Sequence, residues 1–291
     1  MGTREKFWTE YAGEPHLVKY PRRESGEDWA EKVAAEIADV LGLPHAEYDL
    51  AIAESKNATI SRKFHPEELE LVTGDTLLRE LVEGYPGTIS KFKISKHTIS
   101  AVFETLVRMN VQLPIGWSPP AGITEAAEVF VGYLMLDTLI GNTDRHHQNW
   151  GIVTDTPQPG NPGVNYLAPT FDHASCLGCH ESEIRKAARL TRQDSKFTVE
   201  TYCERARSRL YSDPNDTKAL HIIRAFEESA GKFPQAAELW FSRLATLGDE
   251  GLVKIMKRVP SNRITECSRE FAEEIVRVNR MRLLGVLEKS R

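Results

Sequence analysis

The stretch that most limits what this chain can become is residues 129–140, Val-Phe-Val-Gly-Tyr-Leu-Met-Leu-Asp-Thr-Leu-Ile, a helical run broken by a single charge, Asp137. A helix with no polar face has to be surrounded by other elements, so it belongs at the centre of a sizeable domain. It is too short for a membrane span, which takes ~20 apolar residues. Directly after it comes a dense polar loop, Gly141-Asn142-Thr143-Asp144-Arg145-His146-His147-Gln148-Asn149-Trp150-Gly151. About twenty residues further on, the apolar piece Leu167-Ala168-Pro169-Thr170-Phe171 ends in Asp172. One carboxylate to orient a hydroxyl, with an amide oxygen and a second carboxylate to hold magnesium, is the set that phosphoryl transfer from ATP requires. Asp144, Asn149 and Asp172 supply it. The competing account is an ordinary polar turn, with Asp144 capping a helix and Asn149 in a left-handed conformation.

At 291 residues the chain suits one large domain or a two-lobed unit with a cleft. A net charge of −5 argues against a nucleic-acid binder held by a global basic surface, though a local basic groove is still open. The first residues lack the apolar core of an export signal, which leads to the expectation of a cytoplasmic protein with no membrane contact and no direct nucleic-acid binding. Cys176-Leu177-Gly178-Cys179-His180 matches the haem-attachment pattern in letters. Without an export signal or a second cysteine pair, it is expected to be a chance pair in a loop.

Taken in order, residues 7–11 and 16–21 alternate as two strands across a turn. Lys19 on the second could be solvated or could point into a cleft toward phosphates. Thr3 and Arg4, ahead of the first strand, offer a hydroxyl and a charge to the same phosphates. Residues 27–41 form a helix, started by Ser25 and ended by Gly42, and its Glu31 is a candidate partner for Lys19. Residues 46–53 and 58–64 continue the sheet. Helices are predicted over 67–83, 95–111, a buried one capped by Thr124, and then 198–210, 216–229, 233–247, 250–259 and 268–289. A hairpin joins Asn149 to Asp172. Arg185, Lys186, Arg189 and Arg192 form a basic cluster that either touches substrate or coats a solvated helix.

The pattern resembles the bacterial HipA-like serine/threonine kinases of toxin–antitoxin systems, through the Gly2–Lys6 segment, Leu17-Val18-Lys19, Glu31, Ser61-Arg62-Lys63-Phe64, the Asp144–Asn149 loop and Asp172. It implies an α+β, bilobal protein-kinase-like fold, with a β-rich lobe over 1–64 and a helical lobe over 65–291. It also implies that Lys19 contacts phosphates, that Glu31 positions it, that Ser61, Arg62, Lys63 and Phe64 form the hinge beside adenine, and that Asp144 is the base. His146 joins the nucleotide contacts, and Asn149 and Asp172 hold Mg2+. The expected partners are ATP, a protein substrate and possible binding by an antitoxin-type protein. The chain starts almost at the phosphate loop, as a short, kinase-domain-only member would, and Gln148 stands where many members have lysine. Phosphatidylinositol-type and small-molecule kinases share this loop pattern, and a catalytically silent nucleotide-binding protein is the alternative outside enzymes.

Overall fold

The structure, a computed structural model, describes residues 5–22, 25–86, 93–155 and 163–290. Four strands, β1 (Lys6–Tyr11), β2 (Glu14–Lys19), β3 (Asp49–Ala53) and β4 (Lys56–Arg62), make an antiparallel sheet in the order β1-β2-β4-β3. The β1–β2 turn is two residues, Ala12 and Gly13, both with positive φ, and such turns match the twist of the strands they join. That turn sets the register. Val18 and Tyr20 pack with Ala58 on one face, which leaves Leu17 and Lys19 on the other beside Ser61 and Thr59.

Helix α1 (Glu27–Leu41) connects the two halves of this sheet and buries Trp29, Val33, Ile37 and Leu41 at helical spacing. It ends at Gly42, whose left-handed backbone lets its N–H close on Ala38 and Asp39. Ser25 does not cap it. The residue before the helix is Gly26, and the Ser25 hydroxyl turns back to the Arg22 carbonyl.

The predicted helix over 67–83 is two elements. Strand β5 (Leu69–Thr73) comes first, then helix α2 (Gly74–Leu81). Glu and Leu favour helix, but Glu68, Leu69, Glu70 and Leu71 alternate with the strand period, and β5 gains a ladder with β6 (Gly151–Asp155). β7 (Asn165–Leu167) completes the sheet in the order β5-β6-β7. Tertiary pairing has overridden local propensity.

The remainder is mostly helical: α3 (Ile99–Arg108), α4 (Ala126–Ile140), α5 (Glu183–Leu190), α6 (Val199–Arg205), α7 (Ile222–Lys232), α8 (Pro234–Leu244), α9 (Asp249–Lys257) and α10 (Glu266–Ser290). Thr98 caps α3 by accepting the Ala101 N–H. Thr124 is not the cap of α4. Glu125 is, through a reciprocal box with Glu128, while Thr124 donates to the Glu128 carboxylate. The predicted helices 198–210 and 216–229 are shorter, because residues 206–211 and 219–221 run as paired extended chain on either side of a turn: Ser208 N–H bonds to Leu220, Leu220 N–H to Leu210, and Tyr211 N–H to His97. Pro214 stands in the middle of that segment, where a helix would lose a donor.

Helix α4 is buried along its length apart from Glu128, and α3, α7, α8 and α10 surround it. At roughly 1.5–3 kcal/mol per large apolar side chain, Phe130, Leu134, Leu136, Leu139 and Ile140 hold it in place strongly enough to carry Asp137 into the interior. The same apolar cluster extends from Trp29 of α1 to Val286 of α10. The fold is therefore α+β, a small sheet-rich part and a larger helical one, with one large apolar core and smaller separate clusters such as Val18, Tyr20 and Ala58 in the first sheet.

Gly151 sits where β6 leaves the polar loop, and a Cβ there would lie 2.3 Å from the Val72 carbonyl oxygen of β5. Backbone cannot give way as a flexible side chain can, so Gly151→Ala is expected to lose about 1–3 kcal/mol. Gly285→Ala, in open space on α10, should be neutral or slightly stabilising. Urea unfolding of both variants checks this, and equal midpoints would overturn it.

Candidate active site

Because β2 turns Lys19 toward α1, its Nζ donates to Glu31 Oε1 at 2.9 Å and to the Tyr48 hydroxyl at 3.3 Å. Asp172 Oδ1 lies 3.5 Å from the same nitrogen. Burial opposes the lysine's charge, but Asp172 and Glu31 outweigh it and hold Lys19 well above its ordinary range. Tyr48 also accepts the Asp172 backbone N–H at 3.2 Å. Asp172 itself has φ of 59°, a left-handed conformation that costs an aspartate energy and is usual where the surroundings over-determine a functional residue.

The polar loop is built around Arg145, which is 1% exposed. Its guanidinium pairs with both oxygens of Asp137 in α4, at 2.8 and 2.7 Å. It also donates to the Asn149 carbonyl at 2.7 Å and to Thr170 Oγ1 at 2.9 Å, so the loop and the segment leading to Asp172 meet on one side chain. Thr170 Oγ1 and Arg145 both contact His173 Nε2, and burial together with the Arg145 charge keeps His173 neutral, far below its usual range. Asn142 completes the turn: it donates to Asp137 and accepts the Asp144 N–H. Outside the loop, α2 supplies its first N–H groups to it, Gly74 to the Trp150 carbonyl and Asp75 to that of His147. Gln148 donates to the Asp75 carboxylate, so it faces α2.

Asn149 and Asp144 lie on this one framed loop. The Asn149 Nδ2 donates to the Asp144 carbonyl at 2.9 Å, which leaves the amide oxygen as the group available to a cation. A hard cation that keeps waters and phosphate oxygens needs only one or two protein oxygens, and Asn149 with Asp172 is chemically such a set. Among the described residues no three His, Cys, Asp or Glu side chains cluster for a metal. Asp144 Oδ1 is 3.5 Å from Arg209 Nε. His146 is buried, and its Nδ1 accepts the Gln148 N–H.

The four hinge candidates divide. Ser61 shares the Lys19 face of the sheet, whereas Arg62 pairs with Glu14 and Phe64 stacks on Phe171 with ring centres 5.7 Å apart. Arg62, Lys63 and Phe64 line a cavity of about 1060 Å3 with Leu43 and Trp117, and neither Lys19 nor the polar loop reaches it. Thr3 and Arg4 lie outside the described residues. Cys176 and Cys179 are buried and form no disulfide; the Cys176 thiol is directed at the Ala30 carbonyl of α1, and that of Cys179 at the Ala174 carbonyl of its own segment. The basic cluster is internally paired, Arg185 and Arg189 on Glu181, Lys186 on Glu183, and Arg192 on Glu200 and Glu274.

Sequence patterns alone did not reveal Tyr48, Arg209 or His97. His97 accepts from Trp150 Nε1 at 3.1 Å and bonds through Nδ1 to the Arg209 carbonyl at 3.1 Å, which ties the loop to residues 206–221. Burial and nearby His147 push His97 down to about 3. Asp137, a lone charge in an apolar helix, signals a buried partner of its own, Arg145, and none of these three.

Residues 1–237 match the family model described as the HipA-like C-terminal domain. The serine/threonine-protein kinase CtkA of Helicobacter pylori is 27% identical over 176 residues, 57% of this chain and 48% of that protein. The chain thus spans about half the length of that curated relative. The crystal structure of a Helicobacter pylori proinflammatory kinase CtkA has a TM-score of 0.72 at 19% identity, covering 98% of this chain and 93% of that one. HipA of Shewanella oneidensis MR-1, solved with HipB and operator DNA, gives 0.60 at 16% identity, covering 99% and 66%. These two similarities establish a shared fold.

Removing one partner of a buried ion pair leaves the other uncompensated, at about 3–5 kcal/mol. Arg145→Met should lose that much in chemical denaturation, and Asp137→Leu with Arg145→Met should recover a good part of it. A single variant within 1 kcal/mol of wild type, on the order of an exposed pair, would contradict the network.

His97 and His173 are neutral in the fold, while in the unfolded chain each takes up a proton near about pH 6.5. Their folded values are depressed, so their contribution is present above pH 6.5 and is lost as pH falls below it. Between pH 6 and 5 each should remove stability at a slope approaching ~1.4 kcal/mol per pH unit. Unfolding at stepped pH should show a shallower slope for His97→Asn, and an unchanged slope would exclude His97 as a source.

Proposed function

The chain belongs to the HipA-like C-terminal domain family, and we propose that it is an ATP- and magnesium-dependent kinase that phosphorylates a serine or threonine hydroxyl of a protein. The observation that carries this is the buried lysine between two carboxylates, Lys19 bonded to Glu31 and 3.5 Å from Asp172, beside a loop that presents Asp144 and Asn149. A silent nucleotide binder would have no need to keep all of these groups together.

In this proposal Lys19 holds the phosphates of ATP, and Glu31 and Tyr48 hold Lys19. Asn149 and Asp172 would bind magnesium, which neutralises phosphate charge when present. Asp144 orients the acceptor hydroxyl and takes its proton as the oxygen bonds to the γ-phosphorus and ADP leaves. Arg145 holds the spacing between the Asn149 and Thr170 segments, which matters because misplacing reacting groups by ~1 Å can cost 10²-fold. The Shewanella relative was solved with HipB, and an antitoxin-type protein is the partner this kinship supports.

The division of labour predicts different losses. Asp144→Asn should keep ATP affinity and lose turnover by about 10²–10⁴-fold. Asn149→Ala and Asp172→Ala should lose magnesium-dependent ATP affinity and turnover together. Calorimetric titration of ATP with and without magnesium, paired with phosphate transfer to casein-type protein acceptors, measures both. If Asp144→Asn bound ATP as poorly as Asp172→Ala, the assigned roles would be wrong.

A further inference from the structure

Beside the polar loop lies a second, smaller cavity of about 190 Å3, lined among others by Lys93, His97, His147, Arg207, Arg209 and Lys218. Ligand pockets for nucleotides and similar molecules run to ~300–1,000 Å3, so this one suits a single charged group. Among the described residues its lining holds four lysines or arginines and no aspartate or glutamate. That is unusual for this chain, whose net charge is −5 and whose other basic cluster is consumed by Glu181, Glu183, Glu200 and Glu274.

The cavity is also built rigidly. Its floor includes His97, 2% exposed and held from both ring nitrogens, and Ser208, whose Oγ accepts the Leu210 N–H. Arg207 donates to the Ala219 carbonyl across the 206–221 segment, and this sets the rim. Arg209 joins the cavity to the chemistry, because its Nε is 3.5 Å from Asp144 Oδ1. A group seated here is therefore about one guanidinium away from the carboxylate proposed to receive the acceptor's proton.

We propose that this cavity receives an anionic side chain of the protein substrate, close in sequence to the acceptor hydroxyl, and so selects acidic or already phosphorylated contexts. The inference rests on the kinase reading, since it names the substrate class of that same site. Carboxylate and phosphoryl share the chemistry: both are acceptor-only anions that arginine and lysine bind through charge-assisted hydrogen bonds. Arginine can engage either through two parallel bonds, which makes the pocket selective in geometry as well as in charge.

Two measurements test it. Serine and threonine peptides carrying glutamate, phosphoserine or glutamine at each position within three of the acceptor are compared by kcat/KM. Wild type should favour an anion at one or two positions by roughly tenfold or more, and the preference should vanish in Arg207→Ala/Lys218→Ala and invert toward lysine in Lys218→Glu. Glutamate against phosphoserine tells which anion the cavity takes. Titration of phosphoserine amide and N-acetyl-glutamate amide into the wild type and the double variant, both saturated with a non-hydrolysable ATP analogue and magnesium, requires no turnover. Binding to wild type that is lost in the variant supports the pocket. Binding of neither probe, or equal binding by both proteins, overturns it, whether or not phosphate transfer is seen. Transfer with no positional preference overturns the pocket and leaves the kinase standing.

Discussion

The structure depends on one buried ion pair, Asp137 with Arg145. An isolated charge costs far more inside a protein than its neighbours return, unless it is paired and every donor is used. Here the pair is two-pronged, and two further N–H groups of Arg145 go to the Asn149 carbonyl and Thr170. The guanidinium is the common strut of the central helix, the polar loop and the segment that presents Asp172. Replacing it by apolar residues of similar volume could leave the core as stable and still lose the spacing between those three parts. That is why specificity of geometry, more than stability, explains a charge in this position.

A second buried charge is Lys19. Lys19 is stabilised by Glu31 and Asp172, yet Asp172 holds an unfavourable left-handed conformation to be there, with its backbone N–H on Tyr48. In the proposed function Asp172 would help to hold magnesium, which would supply positive charge to the phosphates. The carboxylate is 31% exposed at its side chain, so a cation can reach it, whereas Glu31 at 2% cannot be reached and stays with Lys19. In the proposed function the two carboxylates thus divide, Glu31 positioning Lys19 and Asp172 accessible to a cation.

Much of this was legible in the chain itself. The apolar run 129–140, the polar residues that follow it and the alternation around Lys19 are short-range patterns, and each maps onto an element through a fixed period. The Lys19–Glu31 pair could be anticipated because one strand and one helix, adjacent in sequence, determine it. The failures were of another kind. Residues 67–83 read as helix by composition, but β5 exists only because β6 supplies its hydrogen bonds from eighty residues away. Residues 206–211 and 219–221 read as helix ends, and they are extended because they pair with one another and with His97.

What the sequence by itself determined, then, is the inventory: which groups carry charge, which segments must be buried, and where the polar loop has to start once its helix is surrounded. What the tertiary structure alone decided is which groups meet. Tyr48 joins Lys19 to Asp172, His97 joins Trp150 to Arg209, and Arg209 comes to Asp144 across 65 positions of chain. Side chains so far apart meet only when several elements pack at once, and no local period records that. The physical reason is that propensity and patterning act within a few residues, while the cavity beside Asp144 is a property of the packed whole.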